Sequence, residues 1–400
     1  RYNRSWQSHE VIEGVSVIRV GGVLLGRREK LPRLLQRLFY LVAMMIMGWT
    51  LWRHRCRYDI LHVHQLTLLA LPGALVCWLT GKPMIIVVHC TGPGEIAKSH
   101  NKVSLVAGPL DATAPWLQVY EHVGGLGGDI EQLERLGSLF IRCTRFILQL
   151  IPVVVVIISS RMKDYLAIHD FHLPEVQLIP IGVDISRFNP IDAGDSANSA
   201  GERARVVVCV ARLCYQKGID VLLQAWRLVQ QASPEARLIL VGDGPLQSQL
   251  ECMARELGIA ESVEFAGLQM DIPAQLHRGG LAVLPSRWEG LPAAILEAMA
   301  CGVPCVATRV SGSEDIIQHG VNGLLVEPED YQGMAQALLT LLHDAALTQQ
   351  YGRAARATIE QRYSFEQLMN TYIELYQKIA NHKLAFKKDK LQSDTYHLPS

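Results

Sequence analysis

Two hydrophobic periods alternate along the chain and predict alternating strands and helices. The β-branched runs at 15–25 (VSVIRVGGVLL) and 82–90 (KPMIIVVHC) have the length and composition of strands. Between them, YDILHVH at 58–64 predicts another strand, and the apolar segment near 66–79 predicts a helix. Because strand, helix and strand in this order are typical of a parallel sheet, the first part of the chain is predicted to form an α/β domain over 1–190.

The same rhythm continues to Gly182, stops, and then restarts. A helix near 131–150 leads into VVVVIISS at 153–160, whose continuous apolar run predicts a strand buried on both faces. The small polar residues of 191–204 predict a linker. A second doubly wound α/β domain is predicted over 205–363, facing the first across a cleft. Its strands are predicted at 205–211, 236–244, 263–267, 281–286, 304–310 and 323–328.

A long apolar helix is predicted over 31–57. Its centre, Leu38–Trp52, has 15 residues without a charge, which is short of the ~20 needed to cross a bilayer. Arginines flank this centre on both sides, and Trp49 and Trp52 lie at one end. These features predict a helix buried in the domain, with a helix lying on a membrane surface as the alternative.

Composition limits the classes of function. The 400 residues are 49% hydrophobic and 19% charged, which suits two domains with large cores and excludes a disordered chain. Lys plus Arg and Asp plus Glu both number 38, so the overall charge gives no indication of nucleic acid binding. Residues 1–100 have 13 basic and 5 acidic side chains, a local net charge of +8. This basic part favours acidic substrates or an anionic membrane, or it is simply a solvated surface.

Cysteine usage bears on the cellular compartment. Nine cysteines are scattered without a CxxC spacing, which indicates reduced thiols in a cytoplasmic protein and argues against a zinc or disulfide site. The polar opening segment 1–14 has no pattern of a secretory signal. The predicted compartment is therefore the cytoplasm.

Candidate chemistry lies where the predicted strands end, because open α/β sheets bind ligands beyond the carboxyl ends of their strands. Arg212 and Lys217 follow the strand 205–211, and two cations at this place suit a pyrophosphate. Gly242 and Gly244 follow the next strand, where glycines let a ligand approach the backbone closely. For each pair, an ordinary surface turn is the alternative.

Two carboxylates frame the start of a predicted helix in SRWEGLPAAILEAMACGVP at 286–304. Pro292 suits the first turn, and the free N–H groups of that turn form an anion site. Glu289 precedes the helix and Glu297 lies within it, and carboxylates accept strong hydrogen bonds from paired sugar hydroxyls. Gly290 lets the backbone approach a ligand. The alternatives are a helix-start carboxylate for Glu289 and a surface position for Glu297.

Together, these segments resemble glycosyltransferase family 4 (glycosyl transferases group 1). The matching motifs are ARLCYQKG, LVGDGP, EGLPAAILEAMACGVPCVAT and GVNGLLVEPED in the C-terminal part, and DILHVH, VVHCTG and LIPIGVDISRFNP in the N-terminal part. Glu289 to Glu297 match the paired-glutamate motif E-x7-E of that family, and the resemblance covers nearly the whole chain. It implies the GT-B fold, with two Rossmann-like doubly wound domains facing a cleft. It also implies a retaining hexosyltransferase that uses a nucleotide-sugar donor.

The resemblance implies a role for each matching residue. Arg212 and Lys217 would bind the donor diphosphate. Glu289 would bind hydroxyls of the donor sugar, and Glu297 would bind the ribose. His89 would face the donor sugar from the other domain, so the implied catalytic set is Glu289, His89, Arg212 and Lys217. The implied donor-binding set is Arg212, Lys217, Gly242, Gly244, Gly267, Leu268, Glu289, Gly290, Leu291 and Glu297.

The resemblance also implies the partners and the reaction. The donor would be a UDP- or GDP-sugar and the acceptor a glycan, a lipid-linked molecule or a small molecule, with no nucleic acid, no metal ion and no further cofactor. The departing phosphate would accept the acceptor's proton on the same face of the sugar. His62 and His64 are interpreted as scaffold at a strand end, outside the reacting centre. The pathway would be cell-envelope or exopolysaccharide glycan synthesis, in the cytoplasm, with peripheral contact of 31–57 with the inner face of the membrane.

The sequence departs from the family pattern in three places. The family opens with a strand, a glycine-rich loop and a helix ahead of EGVSVIRV, and this chain begins after them. We therefore expect an N-terminal domain without its first βα unit, with an exposed sheet edge and reduced activity. The alternative function is a truncated, non-catalytic nucleotide-binding or membrane-surface protein. Ile181 stands where the family has asparagine. At the C-terminal end, we expect a terminal helix over 364–380 that packs back on the N-terminal domain, followed by a loose tail at 381–400.

Overall fold

Two parallel α/β sheets, one in each half of the chain, form the core of the structure. The computed structural model describes residues 9–12, 15–18, 33–66, 70–89, 130, 138–173, 175–191 and 203–393. The predicted linker over 191–204 lies almost entirely outside these residues, as do residues 1–8. The limits predicted for the two domains therefore stay predictions.

The first described elements are two antiparallel strands, β1 (His9–Ile12) and β2 (Val15–Ile18). They differ from the single strand predicted over 15–25, because β2 pairs with a strand that precedes it; residues 19–25 lie outside the described residues. The runs HEVI and VSVI flank Glu13 and Gly14 in the sequence. A two-residue spacing that ends in glycine is typical of a hairpin, and the prediction overlooked it.

The N-terminal sheet has four parallel strands among the described residues, paired in chain order. They are β3 (Leu61–His64), β4 (Met84–Val88), β5 (Val153–Ile157) and β6 (Val176–Leu178). Every residue of β4 and β5 is buried. This agrees with the continuous apolar runs, which are typical of central strands covered on both faces.

Three helices lie side by side in the N-terminal half: α1 (Arg33–Arg53), α2 (Ala70–Thr80) and α3 (Ser138–Gln149). α1 packs against α2 beside Gly48, and α2 packs against α3, β3 and β4. The prediction of a buried helix is wrong for the outer side of α1, because α2 covers only one side and leaves Met45 and Trp49 exposed. A shorter helix, α4 (Met162–Ile168), follows β5. In the described ranges, no helix is both long and apolar enough to cross a membrane.

The C-terminal sheet has six parallel strands in the order β12-β11-β10-β7-β8-β9. They are β7 (Val206–Val210), β8 (Arg237–Val241), β9 (Val263–Gly267), β10 (Leu281–Leu284), β11 (Cys305–Thr308) and β12 (Gly323–Val326). All six lie within the predicted ranges. In this doubly wound order the direction of winding reverses between β7 and β10, and such sheets bind ligands beyond the carboxyl ends of the strands at that reversal.

Helices pack on both faces of the C-terminal sheet. They are α5 (Ile219–Ala232), α6 (Gln247–Glu256), α7 (Ile272–Leu276), α8 (Ala293–Ala300), α9 (Ser313–Ile316), α10 (Tyr331–His343) and α11 (Ala345–Arg362). Trp226 of α5 is fully buried, and its indole N–H donates to Ser262 Oγ at 3.1 Å. The largest core side chain therefore has its polar atom satisfied, as a buried tryptophan requires.

The last helix, α12 (Phe365–Ser393), runs back to the N-terminal domain. The Val183 N–H donates to Tyr363 O at 2.9 Å, and the Phe365 N–H donates to Val183 O at 3.0 Å, so backbone bonds join the start of α12 to the segment after β6. Further along, Tyr376 Oη lies 2.6 Å from His62 Nδ1 of β3.

Helix α12 is longer than the predicted 364–380, and the expectation of a loose tail from 381 is wrong as far as Ser393. The apolar period stops near Lys378. The segment KLAFKKDKLQ at 383–392 is nevertheless rich in residues of high helix propensity, which extend the helix. Residues 394–400 lie outside the described residues.

Polar contacts join the two domains beside the cleft. Ser159 Oγ and Ser311 Oγ lie 2.8 Å apart, and both side chains are buried. The amide and hydroxyl of Ser160 both donate to the Asp315 carboxylate, at 2.7 and 2.5 Å. These bonds connect the segment that follows β5 to α9.

Candidate active site

The loops that follow β7 and β10 meet where the winding of the C-terminal sheet reverses. After β7, Tyr215–Lys217 form one 3-10 turn, which ends at Gly218. After β10, the loop that contains Glu289 leads into α8. The Lys217 ammonium donates to Glu289 Oε1 at 2.5 Å, and the Gln216 side-chain amide donates to the Trp288 carbonyl at 3.0 Å. The predicted cation and the predicted carboxylate, 72 residues apart in sequence, are therefore brought together.

Glu289 is a buried carboxylate with fixed geometry. It is 5% exposed, and the Ser286 hydroxyl donates to the same Oε1 at 2.6 Å. The Ser286 carbonyl in turn accepts from Thr308 Oγ1 at 2.5 Å. Burying a carboxylate is costly unless it is paired and hydrogen-bonded, and Lys217 and Ser286 supply both conditions. Lys217 is therefore an ion-paired side chain that is only 20% exposed, and its predicted role at the diphosphate stays a prediction.

Arg287, which the sequence analysis did not select, ties three loops together. Its guanidinium donates to both carboxylate oxygens of Asp220 at 2.9 and 2.7 Å, and its Nε donates to Glu329 at 2.5 Å. It also lies 4.0 Å from the centre of the Tyr215 ring. Burial acts to lower the pKa of Arg287, but hydrogen bonds and charges of Asp220 and Glu329 outweigh it and raise the pKa. The only indication of Arg287 in the sequence is its position two residues before Glu289.

Arg212 lies directly after β7 and differs from Lys217 in its surroundings. Its side chain is exposed. Within the part of the chain that the structure describes, no hydrogen bond or ion pair holds its guanidinium. A solvent-exposed arginine at the C-terminal end of a strand can contact an anion. The exposure of Arg212 is equally consistent with an ordinary surface arginine.

Glu297 lies on α8, eight residues after Glu289, and is half-buried. Burial raises the pKa of its carboxyl, and the positive charge of Arg187 opposes that rise. Arg187 comes from the segment that follows β6 and was not selected in the sequence analysis, since nothing in its local sequence indicates a partner on α8. Pro292 lies one residue before α8 in extended conformation, not within the first turn as predicted.

The glycines predicted at the strand ends are in close backbone contact with the loop after β7. A Cβ at Gly242 would lie 2.1 Å from Ala211 O, and one at Gly244 would lie 2.2 Å from Leu213 O. The Gly242 N–H donates to Gly267 O at 2.8 Å, which aligns the ends of β8 and β9. The neighbouring Leu268 is 70% exposed, as a residue of a binding surface or of an ordinary surface loop would be.

His89 and Gly290 place the two domains in direct contact across the cleft. His89 follows β4, and a Cβ at Gly290 would lie 1.9 Å from the His89 carbonyl oxygen. Only glycine permits this approach of two backbones. Leu291 is buried beside it. The predicted residues of the two domains therefore meet at this point, with His89 on one side and the Glu289 loop on the other.

A row of histidines connects His89 with α12. His64 Nδ1 lies 3.1 Å from His89 Nε2, and the rings of His62 and His64 stack at 4.6 Å. Burial, with repulsion from His64 and His89, lowers the pKa of His62 to about 4, and burial together with His64 lowers the pKa of His89. The interpretation of His62 and His64 as scaffold stays a prediction. The contact of His64 with His89 was missed, because it depends on the register of β3 and β4.

Two family models match consecutive parts of this chain. "Glycosyltransferase Family 4" matches residues 5–187, and "Glycosyl transferases group 1" matches residues 193–358. The chain belongs to glycosyltransferase family 4. This family 4 member has the GT-B fold, as its two facing parallel-sheet domains and its structural neighbours show.

Curated bacterial proteins resemble the family 4 member over part of its length. It is 34% identical over 181 residues to an exopolysaccharide phosphotransferase of Streptomyces coelicolor, covering 45% of this chain and 19% of that protein. It is 32% identical over 212 residues to a GDP-mannose-dependent monoacylated alpha-(1-6)-phosphatidylinositol monomannoside mannosyltransferase of Corynebacterium glutamicum, covering 48% of this chain and 54% of that protein. The chain therefore spans between 19% and 54% of the length of these two relatives.

A solved structure extends the comparison to both domains. HepE of Anabaena, in complex with UDP, is 22% identical, with a TM-score of 0.64, and the match covers 84% of this chain and 82% of HepE. At this level of identity the likeness shows the fold alone.

Proposed function

We propose that this chain transfers a hexosyl group from a UDP- or GDP-sugar to a hydroxyl group of an acceptor, with retention of the anomeric configuration. The observation that supports this function best is the convergence of the partly buried Lys217–Glu289 pair and the exposed Arg212 at the winding reversal of the C-terminal sheet. Membership of family 4 supports both the donor class and the stereochemistry.

The cations would act on the leaving group. The bond between the anomeric carbon and the β-phosphate oxygen breaks, and negative charge grows on that oxygen. Arg212, Lys217 and the N–H groups at the start of α8 would stabilise this charge without a metal ion. The acceptor oxygen forms the new bond to the anomeric carbon on the same face, and its proton passes to the departing phosphate oxygen.

The two glutamates would divide the rest of the donor between them. Glu289 would accept hydrogen bonds from the sugar hydroxyls, while Ser286 and Lys217 keep its carboxylate in place. Glu297, which lies on α8, would accept hydrogen bonds from the ribose. The loop ends at Gly242, Gly267 and Leu268 would contact the base, and His89 would face the sugar from the N-terminal domain.

The choice of nucleotide and acceptor is the finer part of the proposal. The mannosyltransferase relative is named for GDP-mannose, and HepE is described with UDP, so both nucleotides have support. We propose a glycan, lipid-linked or small-molecule acceptor, a cytoplasmic site of action at the inner face of the membrane, and no cofactor. The exopolysaccharide and phosphatidylinositol mannoside relatives support a product of the cell envelope or an exopolysaccharide.

The test combines nucleotide binding with sugar transfer. Calorimetric titration of the chain with UDP, GDP and their sugars should reveal one preferred nucleotide, and chelation of metal ions should leave its affinity unchanged. Glu297→Ala should weaken that affinity by about tenfold or more, since a charge-assisted hydrogen bond to the ribose is lost. Arg212→Ala should weaken it too, whereas Arg227→Ala, an equivalent loss of an exposed arginine on α5, should have no effect.

Two results would contradict the proposal. Unchanged nucleotide affinity in both Glu297→Ala and Arg212→Ala would remove the site. If the chain binds a nucleotide but neither transfers sugar to an acceptor hydroxyl nor slowly hydrolyses the donor, the result would instead support the alternative of a non-catalytic nucleotide-binding protein.

A further inference from the structure

Large apolar side chains are exposed on three adjacent helices of the N-terminal domain. We call six of them the outer apolar face: Met45, Trp49, Leu75, Trp78, Leu79 and Phe146, of α1, α2 and α3, with exposed fractions of 66, 65, 43, 51, 55 and 62%. Single exposed apolar residues are ordinary on protein surfaces, but a group on neighbouring helices marks an interaction site.

The spacing of these residues places them on the outward sides of the helices. Met45 and Trp49 are four residues apart on α1, and Leu75 and Leu79 are four apart on α2, so each pair forms one stripe. The opposite side of α2 is buried against the sheet, with Ala74 and Cys77 fully enclosed. The outer apolar face therefore points away from the core of the domain and is not part of its packing.

The charged side chains within these helices have one sign. Arginine is the only charged residue type in α1 and α3, and α2 has no charged residue. Arg53 is exposed at the C-terminal end of α1, Arg57 is exposed in the 3-10 turn Arg55–Arg57 that follows, and Arg142 is exposed on α3. Among the described residues, the acids nearest in sequence to α1, or paired with α3, are Asp59 and Asp170, and Asp170 is paired with Arg145. An apolar surface whose own helices contribute only cations is complementary to the interface of a bilayer that contains anionic lipids, and tryptophan is a preferred residue at that depth.

We infer that the outer apolar face, with Arg53, Arg57 and Arg142, is a docking surface for an anionic lipid bilayer. Helices α1, α2 and α3 lie on the bilayer with their apolar side chains among the lipid headgroups and acyl boundary, and the arginines contact lipid phosphates. The docking surface includes α2 and α3 in addition to the segment 31–57. It would bring the domain that contains His89 close to acceptors carried in the membrane. The inference rests on the membrane location given in the proposed function, but it requires no particular donor, so nucleotide binding and bilayer binding can fail separately.

Vesicle flotation with the full chain tests the docking surface. The chain should float with vesicles of phosphatidylcholine and phosphatidylglycerol and should stay unbound with phosphatidylcholine alone. Raising the salt concentration should weaken the binding, because exposed charges are screened. Absence of flotation with the anionic vesicles would overturn the inference.

Two pairs of variants locate the surface. Trp49→Ser with Trp78→Ser should reduce the partition coefficient by about tenfold or more, because the deepest apolar contacts are removed. Both residues are more than half exposed, so the fold should be unaffected. Val321→Ser, an exposed apolar residue of the C-terminal domain, is the matched control and should bind like the unchanged chain. Equal binding by the tryptophan variant would show that another surface contacts the bilayer and would refute the inference.

Charge reversal provides the second pair. Arg53→Glu with Arg57→Glu should weaken binding to anionic vesicles at least about tenfold, since each cation near such a surface strengthens binding about fivefold. Arg227→Glu with Arg353→Glu makes the same change in net charge on the C-terminal domain and should have little effect. If the Arg227 and Arg353 variant weakens binding as much as the Arg53 and Arg57 variant, binding depends on net charge alone and the inferred docking surface is refuted.

Self-association is the competing explanation for an exposed apolar face. Sedimentation of the chain without lipid should show a monomer. A dimer that Trp49→Ser with Trp78→Ser dissociates, together with absent flotation, would replace the bilayer by a second copy of this chain. Nucleotide binding measured in the same samples keeps the two proposals separate, because it is expected to be unchanged in all of these variants.

Discussion

At the scale of single residues, the candidate site depends on a lysine that has two partners to satisfy. Lys217 pairs with the buried carboxylate of Glu289, and the proposed function also requires it to neutralise a diphosphate. Arg212 has no such structural duty among the described residues. The two cations that follow β7 are therefore equivalent in charge but not in their contribution to stability.

This difference predicts a separation of stability from activity. Lys217→Met should lower the turnover of sugar transfer by about a hundredfold or more, and it should lower the free energy of unfolding by about 2 kcal/mol, since Glu289 is left buried without its cation. Arg212→Met should lower turnover to a similar extent and leave the free energy of unfolding unchanged. Urea unfolding and steady-state kinetics on both variants provide the comparison, and equal stability of the two variants would contradict it.

The carboxyl of Glu297 predicts a dependence of stability on pH. Burial raises its pKa in the folded chain above the unfolded value, so the folded chain binds this proton more tightly. Stability associated with this group is therefore present at low pH and is lost as pH rises from the unfolded pKa through the folded pKa. Glu297→Gln removes this loss.

The melting temperature of Glu297→Gln should equal that of the unchanged chain at acidic pH and exceed it at neutral pH, while nucleotide affinity falls. Arg187→Gln should act in the opposite direction, because Arg187 favours the ionised form. Thermal unfolding over a pH series measures both effects. If the difference in melting temperature between the variant and the unchanged chain is the same at every pH, titration of Glu297 does not cause the pH dependence of stability.

At the scale of elements, the loops after β7, β10 and β12 behave as one unit because Arg287 joins them. Asp220 lies in the first turn of α5 after the first loop, Arg287 and Glu289 belong to the second, and Glu329 belongs to the third. The backbone N–H of Arg287 also donates to Gln216 O at 2.7 Å, next to Lys217. These contacts would allow Arg287 to act as a positioning residue that fixes Lys217 relative to Glu289.

Arg287→Lys keeps the charge but loses the planar fork, so it cannot hold Asp220 and Glu329 together. It should lower the free energy of unfolding by about 3 kcal/mol. If Arg287 positions Lys217, kcat should fall by about tenfold or more while the KM for the donor changes little, since the lost contact acts mainly in the transition state. A loss of stability with an unchanged kcat would leave only a structural role.

The matched control is Arg278→Lys. Arg278 makes the same two-pronged contact with Glu264, at 2.9 and 2.6 Å, but both side chains are exposed. Exposed ion pairs contribute little, so this variant should change the free energy of unfolding by less than about 0.5 kcal/mol and leave kcat unchanged.

Element positions were predictable where the hydrophobic pattern is strong, and contacts between elements were not. The six strands of the C-terminal sheet follow from short β-branched runs, and Glu289 and Glu297 follow from their spacing at a helix start. Arg287 was adjacent to them and was missed, because its carboxylate partners lie 67 and 42 residues away. The contact of His64 with His89 likewise requires the parallel register of β3 and β4, which places two strand ends at one sheet edge.

At the scale of the whole molecule, the backbones of the two domains lie close together at Gly290 and His89. A side chain on Gly290 has no space, since its Cβ would meet a carbonyl oxygen and not a flexible side chain. Gly290→Ala should therefore hold the domains apart while leaving the C-terminal domain intact.

We expect Gly290→Ala to bind the nucleotide with nearly unchanged affinity and to lose about a hundredfold in turnover, because a displacement of about 1 Å between reacting groups has an effect of this size. Gly48→Ala is the control: its Cβ would meet nothing nearer than 3.5 Å, and turnover should be normal. Small-angle scattering of Gly290→Ala should show a larger radius of gyration. An unchanged radius with normal turnover would contradict the cross-cleft contact.

The return of α12 has a consequence for the order in which the chain matures. A ribosome synthesises β3 early, yet the residue that contacts His62 of that strand, Tyr376, is made only after the C-terminal domain is nearly complete. The N-terminal domain therefore cannot reach its final packing during synthesis of its own residues. Both domains should acquire resistance to proteases together, only after Tyr376 has been synthesised, although each has a sheet of its own.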